Sequence, residues 1–145
     1  MAHIRKVIRD DIVTSLTGLS STGSRVYTSR VYPMDSSKLP GIAIYTNSEN
    51  SEYATINLPR TIMRTVDVNV EVYVKGVAGH DDSLDQICAE IEAALYSDVT
   101  RGGYAKDTKI LSFESQYSGD GDQPVVTGVL LVQVMYITTE GAPTS

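Results

Sequence analysis

A chain of 145 residues and 15.7 kDa has the length of one domain, and 41% hydrophobic with 21% charged residues is a globular composition, not a disordered, collagenous or coiled-coil one. A net charge of −6 removes the electrostatic drive for non-specific nucleic-acid binding, a single cysteine excludes an internal disulfide, and two histidines beside it leave no closed Cys/His zinc site. No apolar run approaches the roughly 20 residues that cross a bilayer, and residues 1–6 lack the apolar core of a signal peptide, so a soluble protein made in a cytoplasm is expected.

In residues 2–19, Ile4, Val7, Ile8, Ile12, Leu16 and Leu19 recur at spacings of three and four, which predicts an amphipathic helix ended by Gly18 and the Ser/Thr/Gly run after it. Short β-type runs follow at 25–28 and 30–32, the second closed by Pro33. Residues 41–46 are apolar almost throughout, as in a strand covered on both faces. Residues 47–57 are polar, with Tyr53 and Ile56 as isolated anchors, and read as a long exposed loop or ribbon tip; the ribbon is placed at 47–59.

Across residues 60–75 the even positions Ile62, Val66, Val68, Val70, Val72 and Val74 are apolar, interrupted by Arg64, while the odd ones are mostly polar. A strand of that length reaches about 50 Å at 3.4 Å per residue. A compact domain of this size is somewhat under 40 Å across. The strand must therefore break at a bulge or project at one end, and Arg64 marks the expected change of environment.

After a turn at 76–80, residues 81–96 predict a second helix, with Ser83 and Gln86 as a capping box and Leu84, Ile87, Cys88, Ile91 and Leu95 as its buried stripe. Two more strands are predicted at 108–117 and 125–139, joined by a Gly/Asp-rich hairpin connection at 118–124. The last has Val126, Leu130, Val132, Val134 and Tyr136 on one side and Val125, Val129, Leu131 and Met135 on the other, so both faces are expected to be covered. The order α-β-β-β-α-β-β predicts an α+β fold: a mostly antiparallel sheet with long strands and two helices packed on one face, in a single domain spanning 1–145 with a loose tail at 141–145.

Three groups invite a chemical reading. His80-Asp81-Asp82 has the residue types of a metal site or acid–base pair, but a turn entering an acidic helix start accounts for it. Gly119-Asp120-Gly121-Asp122 resembles the start of a calcium loop but enters a strand at Val125 with no glutamate at the twelfth position, so hairpin turn chemistry explains it better. Cys88 sits on the apolar stripe, where a thiol is a small hydrophobe with a raised pKa, and His3 lies near the terminus without a sequence-local partner. Neither a phosphate-binding loop nor a nucleophile elbow or zinc-protease motif is present, so no catalytic residue, cofactor or metal is expected.

The positive signals concern assembly. Strands longer than the domain needs, a polar loop with isolated anchors, and a charge split between halves suit a self-assembling subunit. Residues 1–75 hold nine Lys/Arg against seven Asp/Glu and residues 76–145 three against eleven, complementary between copies unless the acidic half is merely solvated. Tyr53 and Ile56 in the ribbon, Arg60 and Arg64 on the long strand, and Asp120 and Asp122 at the hairpin tip are the candidate interface residues. Reversing both arginines to glutamate is expected to weaken assembly and leave the subunit folded.

The N-terminal helix, Leu39-Pro40-Gly41-Ile42-Ala43-Ile44-Tyr45, the polar loop, the strand 64–74, the acidic helix from Asp81 and the closing long hairpin together resemble the tail terminator proteins of long-tailed bacteriophages, of the lambda-type minor tail protein U family. The resemblance spans residues 4–139 and rests on hydrophobic patterning. It implies a homohexameric ring, assembled in the host cytoplasm, that caps the head-proximal end of the virion tail. There it would stop polymerisation of the tail tube protein and present a surface to a head–tail completion or neck protein. It implies neither catalysis, membrane contact nor sequence-specific nucleic-acid binding, and is compatible with DNA passing through the ring lumen. A related ring protein of the neck or tube, or a small non-phage binding module or enzyme, are the alternatives.

Overall fold

Ile8, Ile12 and Leu16 recur every fourth residue and are buried, which is why residues Ile4–Leu16 form helix α1 with one face on the sheet. The helix stops three residues short of the predicted end because Thr17 is extended and Gly18 takes φ +92°. At its start His3 is the N-cap: its Nδ1 accepts the Arg5 amide at 3.0 Å, giving this histidine a partner that its position alone did not suggest. The computed structural model describes residues 2–28, 40–76, 78–118 and 124–144. The predicted run at 30–32 and most of the hairpin connection at 118–124, including Asp120 and Asp122, lie outside the described residues.

Among the described residues five strands, β1 (Val26–Tyr27), β2 (Gly41–Tyr53), β3 (Thr61–Lys75), β4 (Asp107–Ser118) and β5 (Val125–Thr139), form one sheet in the order β1-β2-β3-β5-β4. Only the short β1–β2 pair is parallel. With helix α2 (His80–Tyr96) between β3 and β4, the element order is α-β-β-β-α-β-β, the predicted α+β arrangement. Both helices pack on one face, where Ile12, Leu16, Ile87 and Ile91 meet Val66, Val70, Val132 and Val134 in the main core.

The other face differs from expectation. Val125, Val129, Leu131 and Met135 are only half-buried, because among the described residues no helix lies on that side. Among the described residues its dense patch is at the β2 and β3 end, where Ala43 and Tyr73 are buried together. There the carboxylate of the buried Glu71 accepts the Tyr45 hydroxyl at 2.5 Å and the Tyr73 hydroxyl.

β3 runs for 15 residues in unbroken register with β5, so it has no bulge at Arg64. The irregularity falls on its neighbour instead: the β2 register shifts between Thr46 and Ser48, and one extra residue, Asn47, reverses which side of the sheet each later β2 side chain faces. Beyond that shift β2 continues as strand to Tyr53, so the predicted polar loop is ribbon as far as Tyr53, with the turn at 54–60.

α2 begins at His80, earlier than predicted, with Gly79 as N-cap at φ +86° and no side-chain cap. The expected capping box is therefore absent: Ser83 is already inside the helix, its amide bonded to the Gly79 carbonyl at 3.1 Å. Asp81 and Asp82 fill the first turn, where carboxylates favour the helix dipole. α2 lies close to β5 because residue 128 is glycine; a Cβ there would come within 2.8 Å of Leu84 and 2.9 Å of Phe113. The tail at 141–144, expected to be loose, is tied to α1: the Ile4 amide donates to the Pro143 carbonyl at 2.8 Å, and His3 bridges Thr144.

Candidate assembly surface

The turn at 54–60 is closed from both sides. The Ala54 amide donates to the Thr61 carbonyl at 2.8 Å and the Thr61 amide to Thr55 Oγ1 at 3.0 Å. Arg60 is bound through its amide (3.0 Å) and Nη1 (2.8 Å) to the Glu140 carboxylate, and its guanidinium lies 5.5 Å from the Tyr53 ring centre. On this frame Ile56 is 92% and Leu58 75% exposed, so the most exposed apolar side chains of the ribbon sit on an anchored turn.

Tyr53, Ile56 and Arg60 are thus brought together at the tip. Arg64 is not. Its side chain points toward the helix face, 16% exposed, where Nε donates to Thr138 Oγ1 at 2.9 Å and Nη1 lies 3.3 Å from Glu49. The same Glu49 carboxylate receives Arg5 Nη1 of α1 at 2.7 Å and the Tyr136 hydroxyl of β5. Burial and the neighbouring Glu49 push the Tyr136 hydroxyl pKa up, keeping it a donor. This cluster locks the base of the ribbon to α1 and β5, with Arg64 held inside it.

The second apolar surface lies on the sheet's far edge and was not singled out in the sequence. At β4 the register shifts between Ile110 and Ser112, which turns Phe113 and Tyr117 toward the helix side. Leu111 is 51% and Phe113 43% exposed, and with Cys88, Ile110 and Leu130 they form a groove of about 410 Å³ between α2 and β4. Asp85 and Glu92 of α2 make its rim. Burial first, then these two carboxylates, push the Cys88 thiol up to about 11, so it remains a protonated, half-buried hydrophobe as its place on the stripe implied. Leu111 and Phe113 stand in the sequence as two apolar residues two apart, but the side of the sheet that Phe113 faces is set by the bulge between Ile110 and Ser112.

His80 does not join a ligand set. Its Nε2 lies 3.3 Å from Asp81 and its ring 5.8 Å from Tyr117, at the helix start. Among the described residues no group of three or more His, Cys, Asp or Glu side chains is placed to hold a metal ion, and no helix is long and apolar enough to cross a membrane.

No family model matches the chain, and no curated protein does. Among solved structures, the chain is similar to one described as "Virion of native gene transfer agent (GTA) particle", with 17% identity, a TM-score of 0.46 and 92% of each chain covered.

Proposed function

We propose that this protein is a structural subunit of a long-tailed bacteriophage that acts without catalysis: a tail terminator whose copies close into a hexameric ring on the head-proximal end of the tail tube. One face of the ring would match the tube's growing end and stop its polymerisation, and the other would receive a head–tail completion protein. The observation that carries an assembly role is the anchored tip at 54–60, which holds Ile56 and Leu58 in solvent on a turn fixed by the Arg60–Glu140 pair. An apolar surface presented on a held frame suits a contact made in every copy. The terminator position is supported by the patterning of residues 4–139, which resembles that family.

The test is native mass spectrometry with light scattering across salt and concentration, followed by binding to assembled tail tubes. A species of about 94 kDa, six 15.7 kDa chains, that binds tube ends and halts their growth is expected. A protein that stays monomeric and ignores tubes would overturn the reading. Incorporation along the tube, or only at the neck, would instead make it one of the related ring proteins.

A further inference from the structure

Two exposed apolar patches lie where one chain cannot join them. The groove at Ile110 to Phe113 is level, across β5, with Val68 and Val70 of β3, whereas the tip adjoins Thr61. Seven to nine residues separate those levels, roughly 25 to 30 Å along the strands, and β5 stands between β3 and β4. The shapes are opposite: Ile56 and Leu58 protrude, and Leu111 and Phe113 wall a hollow. A protruding apolar patch and a pocket elsewhere on the same molecule make a heterologous contact between copies.

Charge permits the same pairing. α2, which forms one wall of the groove, carries Asp81, Asp82, Asp85, Glu90 and Glu92 and no Lys or Arg. At the tip end Arg5 and Arg64 are paired with Glu49, Lys6 with Asp10 and Arg60 with Glu140, so that end is close to neutral and does not repel the acidic wall. The β4 bulge also interrupts the exposed strand edge, disfavouring simple strand addition there and leaving the groove as the receptive surface.

We propose that the 54–60 tip of one copy inserts Ile56 and Leu58 into the α2–β4 groove of a second copy, an arrangement that repeats head to tail. This rests on the self-assembly reading above and specifies which two surfaces meet.

The experiment uses the full chain in three forms: wild type, a tip variant (Ile56→Glu with Leu58→Glu) and a groove variant (Leu111→Glu), each checked for its fold by circular dichroism. Each variant alone is expected to stay monomeric at concentrations at least tenfold above those at which wild type assembles. Mixed one to one they are expected to give a two-chain species, since one intact tip and one intact groove remain. Independently, a chain carrying Ile56→Cys, Leu111→Cys and Cys88→Ala is expected to form an interchain 56–111 disulfide on mild oxidation, mapped by peptide mass spectrometry. Wild-type assembly with a tip variant that assembles equally well and no 56–111 cross-link would overturn this pairing while leaving self-assembly standing. A wild type that never associates, in solution or on tubes, would overturn both.

Discussion

The Glu49 carboxylate of β2 and the Arg64 guanidinium of β3 meet at 3.3 Å on the helix side of the sheet, and Arg5 of α1 shares the same oxygen at 2.7 Å. Glu49 is 11% exposed as a side chain, so the pair is held mostly out of water. Replacing Glu49 with alanine leaves one half-sheltered and one sheltered guanidinium and the Tyr136 hydroxyl without their acceptor. A loss of about 2 kcal/mol is expected, below the 3–5 kcal/mol of a fully buried pair because Arg5 is partly solvated. Urea denaturation measures it, and a midpoint within error of wild type would show the cluster to be solvated.

The two arginines first considered together separate in the structure. Arg60→Glu breaks a pair with Glu140 in which both partners are exposed by 30% or more, and should cost under about 1 kcal/mol. Arg64→Glu sets a carboxylate against Glu49 and is expected to unfold much of the population at 37 °C. Thermal melts of the two single variants check this; equal melting temperatures would contradict the placement of Arg64.

Arg101 is fully buried at φ +50°, donating to the carbonyls of Leu95 and Asp98 and lying 3.2 Å from Asp11 of α1. It closes the C-terminus of α2 and ties it to α1. Lysine keeps the charge but not the fork, so Arg101→Lys should lose about 2 kcal/mol. Differential scanning calorimetry would register this as a lower melting temperature, and an unchanged one would deny the side chain its capping role.

His3 couples the start of α1 to pH. Burial first, and then the Arg5 charge, hold its pKa below the ordinary 6.5, and the ring Nδ1 accepts the Arg5 amide at 3.0 Å. The native state therefore binds this proton less readily than the unfolded chain. The contribution is present above about pH 6.5 and is lost as pH falls through the lower folded value. His3→Asn retains a capping oxygen and removes the titration. The stability difference between wild type and His3→Asn should shrink or reverse toward the variant between pH 7 and 5, and a constant difference would mean the ring is free of the cap.

Val70 lies between Ile44 and Leu130 on the helix face and is wholly buried. Val70→Asp is expected to abolish folding, costing more than about 4 kcal/mol by burying an unpaired charge. Loss of cooperative unfolding by circular dichroism would report it, whereas a native-like melt would invert the assignment of faces.

What was legible in the sequence was whatever repeats. The even positions of β3 and β5 and the stripes of both helices announced the core, because burial imposes a period on many residues at once. Single insertions carry no period, so the bulges at Asn47 and Leu111 were invisible, and with them the turning of Glu49, Phe113 and Tyr117 toward the helices. Coverage of the odd face of β5 was overestimated because half-burial by neighbouring side chains asks for the same residue types as burial beneath a layer. Among the proposed interface residues, Tyr53, Ile56 and Arg60 converge at the tip, Arg64 turns inward, and Asp120 and Asp122 fall outside the described residues.

The extra residue at Asn47 has a consequence for how this ribbon can vary. One residue added or removed between Thr46 and Glu49 would exchange the two sides of everything beyond it and carry Glu49 away from Arg5 and Tyr136. Length changes within 54–60 fall after the last paired residue, Tyr53 opposite Ile62, and leave that parity untouched. The tip is thus the segment where residues can be gained or lost while the locked base that presents it stays the same.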